Sequence, residues 1–406
     1  MFMVRLVRAV AALGATAWSR MERARVWPAV NSEPDYLMAL RGVAVLGVAL
    51  GHVMGNGRLS LGALVSNGAY GYEFHAQRFE WWRSVIEIFT PLIGENFVLL
   101  FFVQSGYLMG KVFFEGRYDA VTQKRAFFSA RFLRLAPLLY FNLIVCLLLF
   151  PYSSHDPIKI VGDFLFITNF TGRSINLVTW SLSHEMQYYV ICPFVFLLFR
   201  SRTLTAFGGA IALTVAAYLI PRLFTIFVPF QYVYTFLAGF SANLFLATYP
   251  VRLTHTRKRD GMIVGLLIIH FGYNCLFLFG HTVVANLVAV VSSVAMVVIC
   301  EAQSENRPRD SRLFRFAIFM GFLTYGFYLW HYPLLQLSVP VLEHIAQGTF
   351  GPTGWLTMAL FHALGIFVVG VGSLVISFLT YVFIEMMFRP SLYASLVHSR
   401  RLGDRK

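Results

Sequence analysis

The chain has 406 residues, 58% of them hydrophobic and only 13% charged, with a mean hydropathy of +0.66. A soluble globule of this size needs far more charge to cover its surface, so the composition predicts an all-α polytopic membrane protein. The formal net charge of +14 invites a nucleic-acid reading, which the distribution of the charges removes.

Residues 1–34 form a basic segment, with Arg5, Arg8, Arg20, Arg23 and Arg25 around a weak apolar stretch. Ala15-Thr16-Ala17 resembles a signal-peptide cleavage site, but cleavage would leave Arg20, Arg23 and Arg25 outside. A cytoplasmic amphipathic segment is the preferred reading. Residues 35–390 read as one transmembrane domain of about ten helices and 391–406 as a basic cytoplasmic tail. The spans fall near 38–55, 88–110, 132–151, 179–199, 203–221, 226–247, 261–279, 282–300, 316–341 and 355–386. Segment 160–170 is apolar but too short to cross and is expected to be re-entrant or interfacial. The longest external loop, about 56–87, carries Trp81 and Trp82. Alternating sides puts 27 of the 33 Lys and Arg residues in the cytoplasm and leaves Arg58, Arg78, Arg83, Lys159, Arg173 and Arg222 outside. That asymmetry is what the positive-inside rule predicts for both termini in the cytoplasm. The +14 is mostly topology; it implies membrane lipids as partners and no nucleic acid.

Three stretches could carry chemistry. In the first span Arg41 and His52 are eleven residues apart, hence on one face and about 16 Å apart along the axis. A lone histidine in an apolar span is more often a satisfied polar residue than a base, although an ionisable group there needs a cavity or a partner. The fourth span opens on Trp180-Ser181-Leu182-Ser183-His184-Glu185 and continues to Tyr188 and Tyr189. Ser181 and Glu185 share a face with the tyrosines, and Glu185 is a functional candidate against the alternative of a structural ion pair. In the ninth span Tyr325, Tyr328 and His331 recur every third residue, and Pro333 releases backbone carbonyls. The aromatics alone read as packing; His331 adds to them. At 1.5 Å per residue, His52, Glu185 and His331 all fall about 20 Å above the inner surface. At that surface Arg41, Arg131, Arg134, Glu385 and Arg389 gather, beside a small-residue kink in Phe101-Phe102-Val103-Gln104-Ser105-Gly106-Tyr107. Clustered arginines there usually meet lipid head groups, but below a buried acid/base group they suit the phosphates of a nucleotide-containing donor.

No phosphate-binding Gly-x-x-x-x-Gly-Lys-Ser/Thr loop and no His-Glu-x-x-His zinc helix is present, and no metal is expected. Matching broken halves, as in an inverted-repeat transporter, are also absent. The four cysteines, Cys146, Cys192, Cys275 and Cys300, fall inside apolar spans and suggest neither disulfides nor zinc.

In their order these motifs resemble the integral-membrane acyltransferase family 3, which includes bacterial O-antigen and exopolysaccharide acetylases. The resemblance rests on Arg41-x10-His52, Phe101 to Tyr107, Arg131 and Arg134 followed by Pro137, Trp180 to Tyr189, Thr324 to Pro333, and Ile384-Glu385 to Pro390. The chain departs from the pattern where Leu99-Leu100 replace a common Asp, Gln104 replaces a common Leu, and Met386 and Met387 follow the terminal Glu. The resemblance implies a multi-pass protein of the bacterial inner membrane that binds no resident cofactor. It would move an acyl group, acetyl by expectation, from cytoplasmic acyl-CoA to a hydroxyl of a cell-surface or lipid-linked glycan. It further implies His52 as general base and Glu185 as the group that orients or charges it. Arg41, Arg131 and Arg134 would hold CoA phosphates, while Ser105, Trp180, Ser181, Tyr328 and His331 would line the substrate pocket. A small acceptor such as a macrolide is the alternative within enzymes, and a flippase of a lipid-linked glycan the alternative outside them.

Overall fold

The computed structural model describes residues 35–55, 93–150, 156–224, 229–249, 251, 256–278, 282–302, 311–351 and 355–385. The segment 1–34, the external loop near 56–87 and the tail 391–406 lie outside the described residues, and with them the side predicted for each terminus.

Every predicted span is a helix. In chain order these are α1 (Asp35–Gly55), α2 (Ile93–Phe114) and α3 (Lys124–Leu149), then the short α4 (Pro157–Phe164) and α5 (Thr168–Thr171). There follow α6 (Thr179–Phe199), α7 (Leu204–Leu223), α8 (Val233–Thr248), α9 (Thr256–Leu278) and α10 (Thr282–Glu301). The last two are α11 (Arg312–Phe350) and α12 (Trp355–Thr380), which ends in a π-turn over Tyr381–Glu385. Among the described residues there is no strand. Eight of these helices are long and apolar enough to cross a membrane, against the ten predicted. Of the other two, α8 has only 16 residues, about 24 Å of helix against a ~30 Å core. The other, α9, opens on Arg257-Lys258-Arg259-Asp260, so its apolar part begins only at Gly261.

The basic loops that charge counting assigns to one side do meet at one end of the bundle. Tyr36 at the start of α1 donates to Asp260 of α9 at 2.9 Å and packs on Phe314 of α11. Lys111 near the end of α2 pairs with Glu301 at the end of α10 at 2.8 Å, and Arg202, before α7, donates to the Phe114 carbonyl. Small residues set the closest helix contacts. A Cβ on Gly42 would lie 1.9 Å from the Ala317 carbonyl oxygen of α11, and one on Gly239 of α8 1.9 Å from that of Val103 in α2. Backbones this close are how membrane helices gain packing without a hydrophobic drive between them.

Two features position the site. The first is the pair of short helices α4 and α5, over the segment expected to be re-entrant or interfacial. Asp156 caps α4 by accepting from Ile158 N at 3.0 Å, with Pro157 at the first turn. Asp163, 1% exposed, accepts from Thr179 Oγ1 and the Ile175 backbone. Its burial pushes its carboxyl up from 3.8 to about 6, against those hydrogen bonds. The second feature is Pro333. The helix α11 runs on through Pro333 and Pro340, but proline has no N–H for the carbonyl four residues earlier, that of Leu329. The side-chain amides of Asn142 (α3) and Asn176 (the segment before α6) donate to this carbonyl at 3.2 and 3.0 Å, and Asn176 also donates to Asn142 Oδ1 at 2.9 Å. All three residues are buried. Both asparagines therefore mend the gap that Pro333 opens.

Candidate functional site

The polar side chains of α1, α2, α3, α6, α11 and the π-turn converge on one cavity. Its volume is about 80 Å³, and its polar wall is Arg41, Ser105, Arg134, Ser181, Glu185, Thr324, Tyr325, Tyr328 and Glu385. On α11 this wall runs from Gly321 to Tyr328. The π-turn is what brings Glu385 in, since the wider turn changes the face a residue presents. Six of the ten residues singled out in sequence line this cavity: Arg41, Ser105, Arg134, Ser181, Glu185 and Tyr328. Tyr325 and Glu385 join them; sequence had read these as an aromatic stripe and an inner-end charge.

Glu185 is held by hydroxyls. Ser105 donates to Oε1 at 3.1 Å, and Tyr189, one turn further along α6, donates to the same oxygen. Arg41 lies within electrostatic reach of Glu185, Arg134, Tyr189 and Arg131. Yet among the described residues no carboxylate stands at ion-pair distance from Arg41 or Arg134. The Nε of Arg41 is buried without a hydrogen-bond partner. A guanidinium carries donors in a fixed fork, and burying one unmatched is costly. Two of them on one cavity wall make an anion-binding arrangement. Arg131, expected to act with them, does not line the cavity; its guanidinium sits 5.4 Å over the Phe127 ring.

The histidines form a second centre beyond the Tyr328 end of the cavity. His52 Nδ1 and His331 Nε2 are 2.8 Å apart. The edge of Tyr332 packs on His52 with centroids 5.4 Å apart, and the His331 ring is 5.7 Å from that of Tyr328. Tyr328 closes the link to the cavity, its hydroxyl 2.7 Å from Ser181 Oγ and donating to the Val178 carbonyl at 3.0 Å. Trp180 lies to one side, in an aromatic group with Phe102, His184 and Tyr232.

One expectation is corrected here. Sequence placed Glu185 level with His52 and able to orient it. Instead His331 is the residue that meets His52, and Glu185 lies with Arg41, Tyr325 and Glu385. Val178 and Ser181, at the start of α6, already meet Tyr328, and Glu185 lies one turn further along α6 toward Arg41. The pairing of His52 with His331 agrees with their predicted common depth. Asn142, which braces the helix beside His331, gave no signal in the sequence, being one polar residue in an apolar run.

A helical membrane bundle with paired arginines in a buried cavity and a histidine pair above them has the outline of a membrane-embedded transferase. Residues 35–382 match the model of acyltransferase family 3, described as an acyltransferase domain. The chain belongs to that family and is an integral-membrane acyltransferase. No curated protein and no solved structure matches it.

Proposed function

We propose that this protein transfers an acyl group, acetyl in the simplest case, from acyl-CoA to a hydroxyl of a cell-surface or lipid-linked glycan at the bacterial inner membrane. Residues 35–390 would act as one catalytic unit, with the basic loops on the cytoplasmic side. The observation that carries this reading is the pair of guanidiniums, Arg41 and Arg134, that line one cavity with no carboxylate at ion-pair distance among the described residues. CoA brings phosphates to match them, and Arg binds phosphate through two parallel hydrogen bonds. Arg131, set back over Phe127, adds positive potential behind them.

His52 is the general base. It takes the acceptor hydroxyl proton as the oxygen bonds to the thioester carbonyl carbon; the C–S bond then breaks, and the departing thiolate recovers the proton. Ser181 and Tyr328 bridge the histidine pair and the cavity, and Ser105 and Tyr189 hold Glu185 in place on the cavity wall. The glycan is the favoured acceptor because the histidines lie at the end of the site away from the basic loops. Membranes containing the protein, incubated with radiolabelled acetyl-CoA, should label an endogenous glycan. His52→Ala should abolish that labelling, by the 10²–10⁴-fold typical of a lost general base. Labelling at the wild-type rate in this variant would refute the assignment. Glycan flux without turnover of any acyl-CoA would favour the transport reading.

A further inference from the structure

The two histidines meet nitrogen to nitrogen, and the far side of His331 decides the direction of that bond. His331 Nδ1 lies 3.2 Å from the Phe327 carbonyl. A carbonyl oxygen only accepts, so Nδ1 carries the hydrogen. A neutral imidazole has one N–H, which leaves a lone pair on His331 Nε2. That lone pair faces His52 Nδ1 at 2.8 Å, so His52 is the donor. His52 Nδ1 therefore holds the hydrogen of the neutral ring, and the basic lone pair of His52 is on Nε2. The ring geometry agrees. The rings are within 23° of parallel with centroids 5.0 Å apart, well beyond the separation of the bonded nitrogens, as in rings joined end to end rather than stacked face to face. The bond thus runs along the lone-pair direction of Nε2.

We propose that His331 is a positioning residue for the transfer. It locks His52 in the tautomer whose Nε2 is basic and shares the positive charge that His52 gains with the acceptor proton. The inference rests on the reading of His52 as the base. Phe327 and Pro333 complete the device. Phe327 takes the Nδ1 hydrogen, and the asparagine brace at Leu329 fixes the helix turn that carries the ring. This is the logic of a base held by a third group, with an imidazole where hydrolytic triads use a carboxylate. Two adjacent imidazoliums repel, so the pair holds at most one positive charge. A proton on His331 would reverse the bond and put the His52 hydrogen on Nε2, the inactive tautomer. The titratable groups against the pair are Tyr332 on His52 and Tyr328 on His331.

The full-length protein with radiolabelled acetyl-CoA tests this through three substitutions at one position. In His331→Gln the side-chain oxygen can reach the place of Nε2 and accept from His52. In His331→Asn the side chain reaches only the place of Nδ1, and His331→Phe keeps the bulk alone. The expected result is a kcat lowered about a hundredfold in Phe and Asn, largely restored in Gln, with the KM for acetyl-CoA unchanged in all three. The acid limb of the rate against pH should move to lower pH in Phe and Asn, because His52 without its acceptor is a weaker base. Equal rates in Gln and Asn, or an unmoved acid limb, would overturn the positioning role; this comparison stands even if the Phe variant fails to fold. The His52→Ala control separates the two readings: if it is inactive while all three His331 variants are unaffected, only the present inference falls. If His52→Ala is itself active, the base assignment falls with it.

Discussion

At the residue scale, Arg41 and Arg134 share one cavity wall, and losing either has a measurable consequence. A charge-assisted hydrogen bond is worth about 1.5–3 kcal/mol, so losing one guanidinium should weaken donor binding about ten- to a hundredfold. Arg41→Gln and Arg134→Gln are each expected to raise the KM for acetyl-CoA by that factor while changing kcat less. The effect should shrink with acetyl-pantetheine, a donor without phosphates, and steady-state kinetics with both donors decide it. An equal loss with the two donors would mean that the arginines serve the fold. The sequence made these arginines legible because charge inside an apolar span is conspicuous. It did not separate Arg134 from Arg131, because which of two residues three apart faces a cavity depends on neighbouring helices. The partner of His52 was hidden for the same reason. His331 and Glu185 were both in view, and only the packing of the helices decides between them.

At the scale of the element, the exchange of donors around Leu329 gives a prediction with an internal control. Two side chains share that carbonyl, so Asn142→Ala or Asn176→Ala alone should cost little of its pairing. Removing both leaves a buried carbonyl unmatched, at about 1–3 kcal/mol, and the two costs should not add. Pro333→Ala returns the backbone N–H of residue 333 and should recover much of the loss in the double variant. Thermal melting of the purified protein in detergent measures all four. A triple variant no more stable than the double would show that the carbonyl is not what the asparagines serve. The sequence announced Pro333 and the freed carbonyl, since a proline in an apolar helix always does so. It was silent on the two asparagines, because donors to a backbone gap come from wherever the chain happens to pass.

For the whole molecule, the fold separates the arginine cavity from the histidine pair along the bundle. Arg41 on the cavity wall lies nearer the start of α1, where the basic loops meet, and His52 lies about three helical turns further along α1. Acetyl-CoA does not cross a bilayer, so sidedness is testable. Sealed inside-out vesicles should label glycan from added radiolabelled acetyl-CoA, whereas right-side-out vesicles should do so only once permeabilised. Labelling in intact right-side-out vesicles would place the donor site on the other side. Composition made the all-helical, multi-span class readable, because a bilayer admits few ways to satisfy a backbone. Span ends were read less well. Charged first turns such as that of α9 and the short helices α4 and α5 are decided by packing rather than by hydropathy.

The gap at Pro333 also bears on how the protein is made. A nascent α11 that enters the bilayer carries a carbonyl it cannot pair by itself, in a solvent that offers no donor. Its donors arrive from α3 and from the segment before α6, both synthesised earlier. His331, on the later helix, therefore meets a waiting clasp. Until that clasp closes, His331 has no fixed height relative to His52.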